Sequence, residues 1–234
     1  MTYPYILLDI DGTLINFMET YKAASAKVLK YGGHSVTDET IRQYYQFNDD
    51  VWLGMNLDNV YDPYICRNYH SMYMEYFRIS NENARLAMGL RHSTAELSDY
   101  FIKGLGECAL PNTNAVDVCR QLAENHTLCI ASNGLTDLQM SKLTDFHPYI
   151  SHYFISEDMG CIKPEKAYFQ IILDSLRCSP SDCLMVGDSL RNDIAGANNS
   201  GIISCHYNPM SFTNTSDIKP AYEIRDFSEL LNIV

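Results

Sequence analysis

The chain of 234 residues is long enough to bury a substantial hydrophobic core, as one large domain or as a core with a smaller insert. Apolar residues make up 46% of it and charged residues 20%, which is typical of a globular protein. The net charge of −12 repels polyanions and argues against binding DNA or RNA. A small phosphorylated substrate is compatible with it, because one metal ion and one lysine can reverse the sign of the charge locally.

No signal peptide or membrane span is predicted from the sequence. The residues before Asp9 contain neither a basic leader nor a long apolar stretch, and no apolar run reaches the roughly 20 residues that cross a bilayer. Eight cysteines are spaced irregularly without a CxxC pair. We interpret them as reduced, mostly buried thiols of a cytoplasmic protein, in preference to a disulfide framework or a zinc site. The sequence gives no indication of the oligomeric state.

Short apolar runs alternate along the chain with longer segments of helical period. The predicted strands are residues 5–8, 127–131, 153–155, 183–186 and 202–206. Runs of this kind are typical of strands buried on both faces of a parallel sheet, with crossover helices between them. We therefore predict an α/β fold, a Rossmann-like parallel sheet with helices on both faces, and expect ligands at the carboxyl ends of the strands.

One long segment interrupts this alternation. Residues 16–100 contain only stretches of helical period, namely 19–31, 38–47, 63–79 and 83–90. We predict an inserted all-helical cap over 16–100, with 1–15 and 101–234 forming the sheet domain and the chain returning to the sheet near Pro111. Additional crossover helices are the alternative, but a crossover of this length would be unusual. The polar segment 208–219 is predicted to be a surface loop.

An acidic pair directly follows the first predicted strand, in the sequence Asp9-Ile10-Asp11-Gly12-Thr13. Because side chains alternate along an extended chain, Asp9 and Asp11 point the same way and can face one substrate. One carboxylate can attack while the other transfers protons. Gly12 permits a tight turn, and Thr13 offers a donor to a phosphate. A calcium-binding EF-hand loop is excluded, because its sixth position lacks glycine and its twelfth lacks glutamate.

Two further motifs are weak when taken alone. Ser132-Asn133-Gly134 follows the second predicted strand, where a hydroxyl and backbone N–H groups at a helix start can bind an anion. The same residues are also a common turn and helix cap. Lys163-Pro164 precedes a helix predicted over 165–176, and a lysine in this position is usually solvated.

A second acidic pair, Asp188 and Asp193, follows the fourth predicted strand. Carboxylates at a strand-to-helix turn suit a hard cation such as Mg²⁺, although helix capping by Asp188 is the alternative. Since each motif can lie at the carboxyl end of a strand, all four can converge on one site. Their combination is far more specific than any one of them.

The four motifs, taken in their order along the chain, resemble those of the haloacid dehalogenase-like superfamily. The resemblance extends across essentially the whole predicted core. The resemblance implies a Rossmann-like core with a helical cap inserted after the first motif, in agreement with the insert found above. It also implies that Asp9 is a nucleophile that accepts a phosphoryl group. Asp11 would protonate the leaving alkoxide and then activate water.

The resemblance also implies the binding residues. Ser132 would hold a phosphate oxygen with backbone donors near Asn133 and Gly134, and Lys163 would neutralise charge at Asp9. Mg²⁺ would be held by the residues Asp9, Asp11 (through its backbone carbonyl) and Asp188. Asp193 would be a direct ligand, a water-mediated ligand or an orienting partner of Lys163.

Retention of Asp11 favours a phosphatase or phosphomutase over a dehalogenase. Residues 132–139 and 153–164, with the spacing of Asn48 and Trp52 in the insert, are similar to bacterial nucleotidases that act on pyrimidine nucleoside monophosphates. We therefore expect a nucleoside 5′-monophosphate phosphatase (5′-nucleotidase) with a small phosphorylated metabolite as its partner and Trp52 at the substrate. Pro111-Asn112 departs from the proline and glycine usual there.

Three alternatives remain open from the sequence. A phosphoglycolate or sugar-phosphate phosphatase would use the same core. So would a phosphomutase. An inactive phosphate-binding protein is the third, but every chemical position of the motifs is intact.

Overall fold

The computed structural model describes residues 3–234, which divide into two compact units. The core comprises the residues up to Asn16 together with 111–139 and 143–234. The helical unit comprises 17–110 and 140–142. The boundary predicted at residue 100 falls inside the continuous helix Thr94–Glu107, and residues 101–110 lie in the helical unit.

The core is built on a six-stranded sheet in which each neighbouring pair of strands is parallel. The strands are β1 (Tyr5–Leu8), β2 (Thr127–Ser132), β3 (Ile150–Ile155), β4 (Cys183–Gly187), β5 (Ile203–Tyr207) and β6 (Tyr222–Ile224). Their order across the sheet is β3-β2-β1-β4-β5-β6. The predicted Rossmann-like sheet is confirmed, and β6 is an additional edge strand of only three residues.

The helical unit contains four helices, which are α1 (Phe17–Tyr31), α2 (Asp38–Gly54), α3 (Pro63–Met88) and α4 (Thr94–Glu107). Capping boxes begin α2 at Thr37 and α4 at Ser93. Pro63 opens α3, and Gly89 closes it in the left-handed conformation. The two helices predicted over 63–79 and 83–90 are one continuous helix, because no breaker separates them. The prediction that the insert is all-helical is confirmed.

Aromatic side chains fill the interior of the helical unit. Tyr44 and Phe101 are fully buried, and their rings meet edge to face with centroids 5.3 Å apart. The Tyr44 hydroxyl donates to Asn81 Oδ1 at 2.7 Å and so joins α2 to α3. None of the helices among residues 3–234 is long and apolar enough to cross a membrane.

The core helices are α5 (Ala115–Leu122), α6 (Thr136–Ser141), α7 (Ser156–Met159), α8 (Lys166–Leu176) and α9 (Ala195–Asn199). The last two residues of α6 group with the helical unit. Shorter helical turns cover His147–Tyr149, Pro180–Asp182, Leu190–Ile194 and Phe227–Asn232. Leu7, Cys129 and Met185, from three adjacent strands, are fully buried in a cluster with Phe169 and Ile172 of α8. Segment 208–219 has no helix or strand, as predicted, although Asn208 itself is buried.

The strand order places three motif segments side by side. In the register of the sheet, Leu8 of β1 lies opposite Ile130 of β2 and Val186 of β4. The chain segments that follow these strands therefore leave the sheet at the same level. Because β1 is the point at which the strand order reverses, its carboxyl end opens onto the crevice that α/β sheets use for ligands.

Candidate active site

A buried lysine lies at the centre of the polar residues at the carboxyl end of β1. Lys163 Nζ contacts Asp9 Oδ1 at 2.6 Å, Asp193 Oδ1 at 2.6 Å and the Ala131 carbonyl at 2.7 Å. Its side chain is only 2% exposed. An ammonium group has three N–H donors, so this geometry uses all of them. A single lysine before a helix indicates little in the sequence, but the structure shows that Lys163 is part of the acidic site.

The backbone of Lys163 is fixed by Asn133. The Asn133 side chain accepts from Lys163 N at 2.8 Å and donates to the Lys163 carbonyl at 2.9 Å. These paired hydrogen bonds join the loop after β2 to the segment before α8. Asn133 was predicted near the phosphate, and in this structure its side chain positions Lys163.

Three carboxylates gather beside the lysine. Asp9, Asp188 and Asp193 each present an oxygen within 4.8 Å of the others. Each oxygen of Asp193 accepts from a protein donor, since its Oδ1 accepts from Lys163 Nζ at 2.6 Å and its Oδ2 accepts from Ser189 N at 3.0 Å. Three acids so close together repel one another unless protons or cations intervene.

The protonation of the cluster reflects burial and mutual repulsion. Burial raises the pKa of Asp9 to about 7, with Lys163 opposing the shift. Burial, followed by the charges of Asp9 and Asp193, also raises the pKa of Asp188 well above its ordinary value. Burial alone would lower the pKa of Lys163, but Asp193 and Asp9 outweigh it and the net shift is upward. The lysine therefore stays charged, and the carboxylates favour a further positive partner.

Thr13 contacts the acidic cluster. Thr13 is fully buried, and its hydroxyl donates to Asp188 Oδ1 at 3.2 Å. The hydroxyl oxygen of Thr13 also accepts from Asp188 N at 3.0 Å. Its own N–H donates to the Ile10 carbonyl at 3.2 Å. Both donors of Thr13 are used within the protein, and its contact with a phosphate stays a prediction.

Gly12 leaves the space that the Asp188 carboxylate occupies. Its φ of +85° lies in the left-handed region, and a Cβ at this position would stand 2.4 Å from Asp188 Oδ2. Any larger residue would displace the carboxylate. The resulting arrangement offers only hard oxygen donors, which are the ligands that Mg²⁺ prefers. The residues present thus fit a magnesium ion.

Asp11, Ser132 and Gln139 form a second polar group. Gln139 Nε2 donates to Asp11 Oδ2 at 3.0 Å, to Ser132 Oγ at 2.8 Å and to the Asn133 carbonyl at 3.1 Å. Gln139 and Ser132 are each 1% exposed, whereas Asp11 is partly exposed. The candidate acid–base residue and the candidate phosphate-binding hydroxyl are therefore held by one amide.

Two predicted substrate residues have other contacts. The Gly134 N–H donates to Ser156 Oγ at 3.0 Å, so this amide is already paired within the protein. Trp52 lies in α2 of the helical unit, partly buried, with its ring edge-on to Tyr73 and Tyr76 at centroid distances of 5.7 and 5.3 Å. Its role at the substrate stays a prediction.

The sequence did not indicate three positioning contacts, which are made by Gln139, His206 and Asn112. Gln139 ends the stretch 132–139 that carries the nucleotidase resemblance, but a glutamine on a short helix has no distinctive signal. His206 donates from Nε2 to the Asp188 carbonyl at 3.0 Å, since a carbonyl can only accept. Asn112 donates to the Thr13 carbonyl at 2.7 Å and to the Gly12 carbonyl at 3.3 Å. The departure noted at Pro111-Asn112 thus secures the acidic loop.

The family follows from this geometry together with comparison to known proteins. A model of the haloacid dehalogenase-like hydrolases matches residues 3–201, which is most of the chain. The chain belongs to the haloacid dehalogenase-like hydrolase family. Phosphatases of this family generally depend on Mg²⁺ and form an aspartyl-phosphate intermediate.

Several known proteins are similar to this chain over nearly the full length. Pyrimidine 5′-nucleotidase PynA from Streptococcus pneumoniae is 27% identical, covering 99% of this chain and 95% of the relative. Pyrimidine 5′-nucleotidase YjjG from Escherichia coli is 26% identical over 98% of this chain and 97% of the relative. The crystal structure of the putative HAD-hydrolase YfnB from Bacillus subtilis bound to magnesium has a TM-score of 0.78 and 26% identity, covering 100% of this chain and 99% of that one.

Proposed function

We propose that this protein is a Mg²⁺-dependent phosphatase that hydrolyses nucleoside 5′-monophosphates through an aspartyl-phosphate on Asp9. The observation that carries the proposal is the buried ammonium of Lys163, which contacts both Asp9 and Asp193 at 2.6 Å beside the third carboxylate, Asp188. This arrangement places a buried positive charge beside the candidate nucleophile, where it can offset the negative charge that a phosphoryl group brings.

The reaction would proceed in two displacements. A carboxylate oxygen of Asp9 attacks phosphorus, the phosphorus–oxygen ester bond breaks, and the leaving alkoxide takes a proton from Asp11 to become an alcohol. Asp11, now a carboxylate, removes a proton from water, which attacks phosphorus and breaks the bond to Asp9. Inorganic phosphate leaves, and both aspartates return to their starting forms.

The remaining residues hold charge and geometry. Lys163 neutralises Asp9 before attack, and Ser132 donates to a phosphoryl oxygen. Mg²⁺ would be held by Asp9, the Asp11 carbonyl and Asp188, and when bound it supplies positive charge to the phosphoryl oxygens. Because both Asp193 oxygens accept protein N–H groups, we assign Asp193 to orienting Lys163 in preference to direct ligation.

The substrate class rests on resemblance more than on core geometry. PynA and YjjG are named as pyrimidine 5′-nucleotidases and align with nearly the whole chain. We assign Trp52 to the nucleoside end of the substrate, where an aromatic face can stack on a base. Cytoplasmic location is part of the same proposal, in keeping with eight free thiols.

A substrate panel tests the assignment. Phosphate release from nucleoside monophosphates, sugar phosphates and phosphoglycolate would be measured with Mg²⁺, with and without EDTA. Preferred turnover of nucleoside monophosphates, abolished by EDTA, is expected. Failure of every nucleotide alongside strong turnover of sugar phosphates or phosphoglycolate would reject the nucleotide assignment and retain the phosphatase.

Replacement of the nucleophile tests the covalent step. Asp9→Asn keeps the shape of the side chain but lacks an attacking carboxylate, so we expect a loss of at least about 10³-fold in kcat. Acid quenching followed by peptide mass spectrometry should find a phosphoryl group on the Asp9 peptide of the unaltered protein alone. Asp145→Asn, an exposed acid of the core, is the control. Normal turnover by Asp9→Asn would refute the mechanism.

A further inference from the structure

The side chain of Gln139 is built into the site more tightly than its place on a short helix suggests. Its Nε2 lies 2.8–3.1 Å from three acceptors, namely Asp11 Oδ2, Ser132 Oγ and the Asn133 carbonyl. A primary amide has two N–H groups, so one of them is shared between two acceptors. The residue is 1% exposed, and leaving such a buried amide unpaired would be costly.

The orientation of this amide follows from its partners. A carboxylate and a backbone carbonyl can only accept, so the nitrogen and not the oxygen of the amide must face Asp11 and Asn133. The backbone makes room for it at Gly134, where φ is +148° and a Cβ would lie 2.9 Å from Gln139 Cγ and Cδ. The hydrogen bonds of its amide and the absence of a side chain at Gly134 together fix the position of Gln139.

The direction of the hydrogen bonds determines what Ser132 can do. Ser132 Oγ accepts from Gln139, so its own hydrogen must point elsewhere. Its contact to the Asn133 carbonyl is 3.5 Å, which is longer than a normal O–H···O hydrogen bond. The hydroxyl hydrogen is therefore available to a stronger acceptor such as a phosphoryl oxygen.

We propose that Gln139 is a positioning residue that holds the Asp11 carboxylate in place for proton transfer and directs the Ser132 hydroxyl toward the phosphoryl group. This inference rests on the proposed phosphatase function and adds a residue to it. We assign Gln139 no contact with the phosphoryl group; it acts through Asp11 and Ser132. An amide bridge between them would keep the acid–base group and the phosphate donor in register through both displacements.

Two substrates with different leaving groups distinguish a positioning role of Gln139 from simple packing. Release of a nucleoside alkoxide needs a proton from Asp11, whereas 4-nitrophenolate is stable enough to leave without one. In single-turnover experiments, we expect Gln139→Met to slow the first displacement of a nucleoside monophosphate by about 10- to 100-fold. The same step with 4-nitrophenyl phosphate should slow by less than about threefold. KM should rise for both substrates through Ser132.

A matched control is available on α8. The exposed Gln170 donates from Nε2 to Asp174 Oδ1 at 2.8 Å, so Gln170→Met also removes an amide–carboxylate hydrogen bond from the core. It should leave both rates unchanged. Equal slowing of the two substrates by Gln139→Met, or no slowing, would show that Gln139 only fills space.

A second variant keeps the test decisive if Gln139→Met does not fold. Gln139→Glu preserves size and shape but replaces the donor with an acceptor, and it should show at least the same selective loss. If no nucleotide is a substrate, the best alkyl phosphate of the panel takes its place. Absence of any turnover by the unaltered protein would refute the proposed function and this role with it, whereas unselective loss in the variants refutes this role alone.

Discussion

At the scale of single residues, Lys163 shows how a buried charge is made tolerable. Moving an ammonium group out of water costs several kcal/mol, and only close opposite charges with good hydrogen bonds repay that cost. Here the two carboxylates and one carbonyl saturate its three donors at 2.6–2.7 Å. The same contacts hold Asp9 at the carboxyl end of β1, so folding and chemistry depend on one ion-pair network.

Removal of this charge should affect both properties. Lys163→Met leaves Asp9 and Asp193 buried without their shared cation, and we expect a loss of about 3 kcal/mol in the free energy of unfolding. The value of kcat should fall by at least about 10³-fold, because the phosphoryl charge loses its partner. Urea unfolding followed by circular dichroism and phosphate-release kinetics measure the two effects.

Lys166→Met is the control for this prediction, because Lys166 is an exposed lysine at the start of α8. It should keep the stability and activity of the unaltered protein. A stable, active Lys163→Met protein would contradict the view that the ion-pair network supports both folding and catalysis.

At the scale of elements, the helices of the helical unit are joined by buried hydrogen bonds as well as by aromatic packing. The Tyr44 hydroxyl of α2 donates to Asn81 Oδ1 of α3, and both residues are fully buried. The Tyr44 hydroxyl and the Asn81 side-chain oxygen each have their partner on the other helix. The hydrogen bond therefore specifies how α2 pairs with α3, a feature that helical periodicity cannot reveal.

Deletion of this hydroxyl tests the pairing. Tyr44→Phe leaves the Asn81 acceptor buried without its donor, so we expect a loss of about 1–3 kcal/mol in stability. Hydrogen exchange of α2 and α3 should report it directly. Tyr64→Phe, at a side chain 62% exposed, should change the exchange rates little. Equal protection in the two variants would mean that the hydrogen bond contributes nothing to α2–α3 pairing.

At the scale of the whole molecule, the clustered acids connect stability, pH and metal binding. The pKa of Asp9 is raised to about 7 from 3.8. A carboxyl whose pKa is higher in the folded state than in the unfolded state stabilises the fold below the unfolded value, and that stability is lost as pH rises through the folded value. The metal-free protein should therefore lose this contribution between about pH 4 and about pH 7.

Mg²⁺ should act in the opposite direction, because it binds the ionised carboxylates. Because the pKa of Asp9 is raised to about 7, the carboxyl is more ionised at pH 8 than at pH 6. We expect the rise in Tm caused by Mg²⁺ to be larger near pH 8 than near pH 6. Differential scanning calorimetry with Mg²⁺ and with EDTA measures it, and Asp9→Asn should flatten the difference. A larger rise near pH 6 would contradict the prediction.

Much of the fold was readable from local pattern. Runs of apolar residues predicted β1, β2, β4 and β5 to within one residue at each end, because buried parallel strands need continuous apolar sequence. The strand β3 begins at Ile150, three residues before the predicted start, because the exposed Ser151 and His152 interrupt the apolar pattern. The short edge strand β6 carries too few residues for any periodicity.

The sequence by itself determined which residue types stand at the strand ends, the order of the four motifs and the position of the helical insert, since these depend on neighbours along the chain. Only the tertiary structure decided that the Thr13 hydroxyl donates to Asp188 and that the Asn133 side chain accepts from the Lys163 backbone. It likewise decided that the Gln139 amide donates to both Asp11 and Ser132. Those assignments depend on distances between segments that are remote in sequence. Hydrogen bonds and ion pairs reach only a few ångströms, so nothing short of the folded chain can assign them.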